Sequence, residues 1–410
     1  MTTRRVPLWL MGLTNLTYGL YGGAVAFAIP QVLSNRNVPE PAIAGLTAVA
    51  FSPGFWAFFF SPMLDVRYSR RWYAVVLAAI ACLTLVLAMM NLNHMVVLEA
   101  LLTIGFFCAY LYQSAVGGWL STITNAEEES TLSVWMSIGN VGGFSVMAMC
   151  CSQLVVHLAP LGVALALGAL ILFPTAAFPF MPAPPPDRRL ARESFSQFLG
   201  DVVSLTKRRE VLVAVLLFVV PAATFSLTNF LGGLGNVFHA TPGFVGVVAG
   251  AGVAAGGLTG CLLFPWIRRA MPLRALYLTI GAVGSLITFA FILLPHTPAS
   301  FATILIGENF LQSLAVTSCT AIIFETIGRD NPLASTTCCF LFSAYGVPIS
   351  YMLYVDAFGY RRGGAGGSLA ADAAASLIAC CLLACLLIVL ARKRWLKDIS
   401  STASTKLTAN

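Results

Sequence analysis

Charge is scarce in this sequence. Lys, Arg, Asp and Glu make up 10% of its 410 residues, and 58% are hydrophobic. Soluble proteins carry about 25% charged residues, so a water-facing enzyme or binding domain is excluded. No Gly-x-x-x-x-Gly-Lys-[Ser/Thr], His-Glu-x-x-His or Gly-x-Ser-x-Gly occurs. That removes P-loop nucleotide hydrolysis, zinc proteolysis and serine-hydrolase chemistry. Eleven cysteines are present, but none forms a Cys-x-x-Cys or a Cys/His spacing suited to zinc. They read as small apolar residues inside apolar runs, so neither a metal nor another cofactor is expected. The pI near 8.9 needs no nucleic acid as partner; a basic membrane face in front of anionic lipid accounts for it.

Long apolar runs remain, and the mean hydropathy is +0.86. They are continuous instead of alternating, which favours helices over a barrel. A span needs about 20 apolar residues, and twelve are expected, at roughly 7–30, 42–64, 72–92, 95–121, 131–156, 160–181, 210–232, 242–265, 273–294, 299–325, 332–355 and 368–391. The fold class is therefore an all-α polytopic membrane protein with 12 transmembrane helices. Arg4 and Arg5 precede a first run too long for a signal-peptide core, so that run is expected to stay as a span.

Orientation follows from the basic residues. Arg67, Arg70, Arg71, Arg268, Arg269, Arg274, Arg329, Arg392, Lys393 and Arg394 fall on one side with Arg4 and Arg5, whereas Arg36, Arg361 and Arg362 fall on the other. Both termini are expected to be cytoplasmic, in a cell inner (plasma) membrane. His94, His157, His239 and His296 then land at the outer ends, as interfacial residues.

The longest loop follows span six. Pro182-Ala-Pro-Pro-Pro is a stiff exit from the membrane. Phe195, Phe198, Leu199, Val202 and Val203 then fall at helical spacing, which predicts an amphipathic helix along the leaflet. This loop divides the chain into 1–181, a linker at 182–209, a second bundle at 210–391 and a tail at 392–410. The halves echo each other: Ser61-Pro-Met-Leu-Asp65 with its arginines ends span two, and Phe264-Pro-Trp-Ile-Arg268-Arg269 ends span eight. Gly246, Gly250, Gly252, Gly256 and Gly260 in span eight predict close helix packing, as do Gly139, Gly142 and Gly143 in span five.

The run Ser61-Pro-Met-Leu-Asp65-Val-Arg67-Tyr-Ser-Arg70-Arg71 resembles the loop between the second and third helices of major facilitator superfamily transporters, with Ser61 where that family has Gly. With the two-times-six arrangement, the resemblance covers nearly the whole chain. It implies a secondary active transporter built of two six-helix bundles and working by alternating access. Gating falls to Asp65, Arg67, Arg70 and Arg71, and Asp65 has a partner to find at the start of span eleven, Asn331-Pro332, where a helix N-terminus favours a carboxylate. The family's cavity lies between spans one, four, seven and ten. The polar and aromatic residues available there are Asn15, Tyr18 and Tyr21; Tyr110, Tyr112, Gln113 and Ser114; Thr228 and Asn229; Asn309 and Gln312. No Arg or Lys lies within these spans, which argues against a strongly anionic solute at mid-membrane.

Glu308 is the deepest acid and the proton-coupling candidate; it is expected to face the chamber between the bundles. Asp372 reads as a first-turn acid of span twelve after the Gly-rich loop Gly363–Gly367, and Asn125 with Glu128 as a capping box for span five. Within the superfamily, Gly307-Glu308-Asn309-Phe310 and Gln113-Ser114-Ala115-Val116-Gly117-Gly118-Trp119 look like muropeptide permeases and acetyl-coenzyme A transporters. The expectation is a proton symporter for a medium-sized polar organic solute, acting as a monomer among membrane lipids. The alternatives are a siderophore importer or a drug or metabolite exporter of the same build. A non-transporting sensor is a further alternative, but it would need a sizeable soluble domain or tail. An intramembrane enzyme would need a nucleophile and base paired inside the bilayer, and none is found.

Overall fold

The computed structural model describes residues 6–184, 200, 202–205, 207–329 and 331–407. Among them there is no strand. The first half contains α1 (Leu8–Ser34), α2 (Ala42–Phe59), α3 (Arg70–Met90), α4 (Met95–Ile123), α5 (Ala126–His157) and α6 (Pro160–Phe180). The second half opens with α7, which is broken into Arg209–Val219 and Ser226–Leu231. Pro221 has no N–H to continue the helical ladder, and Ala223 takes a left-handed φ of 51°. The expected unbroken span at 210–232 is corrected accordingly.

Next come α8 (Gly243–Arg268), α9 (Leu273–Phe291) and α10 (Pro298–Ile327). The last apolar helix, Ala334–Val389, is 56 residues long. At about 1.5 Å per residue it would far exceed a bilayer core of about 30 Å. It is two crossings. Gly363 (φ −146°, ψ 24°) and Gly364 (φ 60°, ψ −150°) leave the helical region between them, and the positive φ of Gly364 suits a residue without Cβ. These crossings are α11 (334–362) and α12 (365–389). Among the described residues the chain thus makes twelve crossings in two six-helix bundles.

The same pairings recur in each half. The third helix packs on the fourth and sixth, α3 on α4 and α6, then α9 on α10 and α12. The halves meet along a seam where α5 lies against α8 and α10, and α11 lies against α4 and the end of α2. Leu83, Leu87, Leu165, Leu262, Leu286 and Leu382 point outward and exposed, a surface stable only in hydrocarbon. The four histidines are exposed at one end of the bundle, and Arg67, Arg268, Arg269, Arg274 and Arg329 sit at the other, called here the basic end.

Three boundaries differ from expectation in ways that matter. α5 starts at Ala126, where Glu128 Oε2 accepts the Asn125 N–H at 3.3 Å, so the capping box itself opens the helix. α11 runs past residue 355 and takes Asp356 into the helix. α12 starts at 365, so the Gly-rich stretch is mostly helical and Asp372 lies two turns in, 8% exposed. Of the glycines in α8, Gly256 and Gly260 abut the backbone of α10 at Ile306 and Phe310, whereas Gly246 and Gly250 face open space. Phe195, Phe198 and Leu199 of the expected amphipathic helix lie outside the described residues, as do Arg4 and Arg5.

Candidate gate and substrate site

At the basic end the seam is closed by a buried carboxylate. The short 3-10 turn Ser61–Asp65 ends α2 and turns Asp65 inward, its side chain fully buried. Across the seam Asp65 accepts the Ser335 N–H (3.2 Å), the Thr336 N–H (2.8 Å) and the Thr336 hydroxyl (2.7 Å). Those N–H groups belong to the first turn of α11 and have no partner inside their own helix. Asn331 shapes that start: its Oδ1 accepts the Leu333 N–H and its Nδ2 donates to Thr337 Oγ1. Pro332 lies before the helix instead of opening it.

Asp65 also has a basic partner from its own loop. Arg70 Nε donates to Asp65 Oδ1 at 2.9 Å, and Arg70 Nη2 reaches the Pro332 carbonyl across the seam at 3.0 Å. Ser69 caps α3 and so sets Arg70 at its first residue. Arg67 instead stacks on Tyr68 and is exposed, while Arg71 is half-buried. One arginine of the three therefore reaches the seam.

Close approach makes this contact possible. A Cβ added to Gly118 of α4 would fall 2.5 Å from Ser335 N and 2.6 Å from Ser335 Cα, which is backbone overlap. A second crossing runs the other way in charge. Arg329, just past α10, donates from Nε to the Thr124 carbonyl at 3.0 Å and from Nη2 to Asn125 Oδ1. Thr124 ends α4. The acid thus sits on a helix N-terminus and the guanidinium on a helix C-terminus, each matched to the helix dipole. Beside the Asp65 contact, Leu205 and Val202 of the linker pack with Leu333 and Val66.

Higher in the seam an aromatic cluster joins α1, α2 and α4. Tyr18 lies 5.9 Å from both Phe106 and Tyr110, and Phe51 lies 4.7 Å from Phe106. The Tyr110 hydroxyl is 3.3 Å from Ser343 Oγ of α11. Tyr345 of α11 neighbours Tyr18, and its buried hydroxyl has no partner among the described residues. Ser343 and Tyr345 stand on α11, outside the expected cavity spans one, four, seven and ten, and no local pattern marks them.

The expected cavity residues separate into two groups. Tyr18, Tyr110 and Ser114 lie near the seam, Gln113 is 3% exposed, and Asn229 is exposed. The others are spent inside one bundle. Asn15 donates to the Met136 carbonyl, Tyr21 meets Thr84, and Tyr112 donates to the Thr14 carbonyl. Thr228 donates to Gln312 Oε1, and Asn309 donates to the Leu305 carbonyl. Helical spacing alone does not tell a cavity face from a bundle face.

Glu308 also turns inward within its own half. Its carboxylate accepts from Thr288 of α9, so it points into the second bundle and not toward the chamber between bundles. Two further buried acids lie within electrostatic reach of it, Asp356 and Asp372. Ser226, at the break of α7, donates to Asp356 Oδ2 at 2.6 Å. The carboxyls of Asp356 and Asp372 lie close enough to influence each other directly. The oxygens without a donor are Asp356 Oδ1 and Asp372 Oδ2. Among the described residues the ion pairs are Asp65–Arg70 and Arg274–Glu325, so none of the three acids has a basic ion-pair partner. Asp356 falls just outside the expected span eleven, and Asp372, expected as a first-turn acid, lies deeper because α12 begins earlier.

Two repeated six-helix bundles, a charge latch at one end of their seam and polar groups sealed within the bilayer define a secondary transporter. The sequence model of the Major Facilitator Superfamily matches residues 11–332, and the chain belongs to that family. No curated protein sequence matches the chain. Solved structures share the fold at low identity. A bacterial homologue of the iron transporter ferroportin, in an outward-facing state, is 16% identical with a TM-score of 0.62, covering 92% of this chain and 97% of its own. The nucleoside transporter NupG is 16% identical with a TM-score of 0.62, covering 92% and 98%. The fucose:proton symporter FucP of E. coli is 14% identical with a TM-score of 0.63, covering 92% and 99%.

Proposed function

We propose that this transporter moves a medium-sized polar organic solute across the cell inner membrane by alternating access, coupled to protons. The observation that carries the coupling is the buried group Glu308, Asp356 and Asp372. Carboxyls in hydrocarbon are expensive and rare, and proton relays are among the functions they mark. Asp356 and Asp372 interact directly, and Glu308, hydrogen-bonded to Thr288, stands within electrostatic reach of both. The break in α7 ties these acids to a helix of the chamber through Ser226, so movement of α7 alters their surroundings. Proton and solute would then be linked through α7, and not by direct contact with Glu308.

The solute site is the aromatic and hydroxyl group at Tyr18, Tyr110, Ser343 and Tyr345, where rings cover apolar faces and hydroxyls supply hydrogen bonds. A muropeptide-like solute fits the sequence resemblance. The structural neighbours add nucleosides and sugars as solutes to try, and a siderophore or an exported metabolite belongs in the same trial. The basic end faces the cytoplasm by its arginines, which puts both termini there.

The test is uptake of labelled muropeptide, nucleoside, fucose and siderophore into proteoliposomes, with and without an imposed pH gradient. For the solute that is taken up, Glu308→Gln is expected to abolish accumulation driven by the gradient while exchange of solute persists. Full accumulation by that variant would rule out proton coupling through Glu308. A wild-type protein indifferent to the gradient would rule it out for the whole group.

A further inference from the structure

We infer that the seam between α9 and α12 on the outer wall of the second bundle is a binding site for one anionic phospholipid of the leaflet at the basic end. A crevice of about 320 Å³ runs between these helices, from Arg274 to Ala282 on α9 and from Ile388 back to Cys380 on α12. It exists because Ala275, Ala282 and Ala384 are too small to fill the seam. Cys381 and Ile388 on its rim are exposed, so it opens sideways, where lipid chains lie. From Arg274 to Ala282 is eight residues, about 12 Å of helix, most of one leaflet's share of the core.

The charge at its mouth selects the occupant. Arg274 lines the crevice at its basic end, and its buried Nε–H has no hydrogen-bond partner. Its only ion-pair contact among the described residues is Glu325, a long 3.8 Å from Nη2, and its side chain is 37% exposed, so the guanidinium still presents N–H donors at the surface. Such a guanidinium at headgroup depth favours a charged acceptor for its outer N–H groups. A phosphodiester at headgroup depth supplies the acceptor, and the acyl chain below it fills the apolar crevice. Anionic lipid is favoured because the whole basic end attracts it.

The experiment uses the full chain in nanodiscs of phosphatidylcholine carrying a trace of phosphatidylglycerol with a photoactivatable group on one acyl chain. Cross-linked peptides are read by mass spectrometry. Label is expected on α9 and α12, exceeding that from the matching phosphatidylcholine probe by about tenfold, the size of one charge-assisted hydrogen bond. Arg274→Gln should bring the two probes level. Ala384→Trp, which fills the crevice and leaves Arg274 intact, should remove the label from both. Equal labelling by the two probes in the wild type would overturn the proposal. So would undiminished preference in Arg274→Gln, or loss of label on adding inorganic phosphate, which would make this a site for free anions.

Discussion

Replacing Asp65 by Asn keeps the shape of the latch and removes its charge. The wild-type carboxylate accepts three hydrogen bonds across the seam, at 2.7 to 3.2 Å, from a fully buried position. Asn retains one acceptor and turns an N–H₂ toward donors, so at least one N–H of the first α11 turn is left unpaired. Hydrogen bonds to a charged group contribute about 1.5–3 kcal/mol each but do not add fully, and a charge at a partly buried helix end contributes up to about 2 kcal/mol. The loss to the state closed at the basic end is then roughly 2–4 kcal/mol. That shifts the closed-to-open ratio by about 30- to 1,000-fold. The natural reporter is Cys338. It is fully buried in the seam beneath the latch, with its sulfur against Gly117 of α4. In a variant retaining only this cysteine, maleimide applied to the basic side should react slowly with Asp65 in place and many times faster with Asn. Equal rates, in protein shown by gel filtration to be folded, would refute the latch.

Gly118→Ala should push the same equilibrium by sterics, since its methyl meets Ser335 backbone; faster Cys338 labelling with charges intact is the expected reading, and unchanged labelling would show that α11 can step aside. Arg329→Gln should weaken the second crossing by about 1–2 kcal/mol, and a double-mutant cycle with Asp65→Asn, read by the same labelling, should show the two contacts acting on one closure. In the acid group, Asp372→Asn supplies an N–H to Asp356 without a proton, so thermal stability should hold while gradient-driven uptake fails. Asp372→Ala should instead cost about 1–3 kcal/mol by leaving a buried acceptor unpaired, seen as a lower melting temperature.

The crossings, their number and the division into halves were legible in the chain alone, because a bilayer forces every span to announce itself as a long apolar run. The family resemblance was legible at Asp65 because a carboxylate at a span's edge stands out against hydrocarbon. Breaks were harder. The interruption of α7 at Pro221 does not show in hydropathy, because the short apolar pieces on either side read as one span. The Gly-rich stretch read as a loop, although the backbone needs only Gly363 and Gly364 to turn.

Sequence by itself therefore determined that this is a twelve-span membrane protein with a charged latch motif, since hydropathy and charge are local properties that solvent reads one residue at a time. Tertiary structure alone decided which of two faces each polar side chain presents. It sent Glu308 toward Thr288 and brought Asp356 to Asp372 from separate helices. It gave Arg70 rather than Arg67 or Arg71 to Asp65, and left Arg274 beside an unfilled seam. Those outcomes depend on how far each helix is rotated and where it ends, and a rotation is set by the neighbours a helix packs against, which no local pattern records.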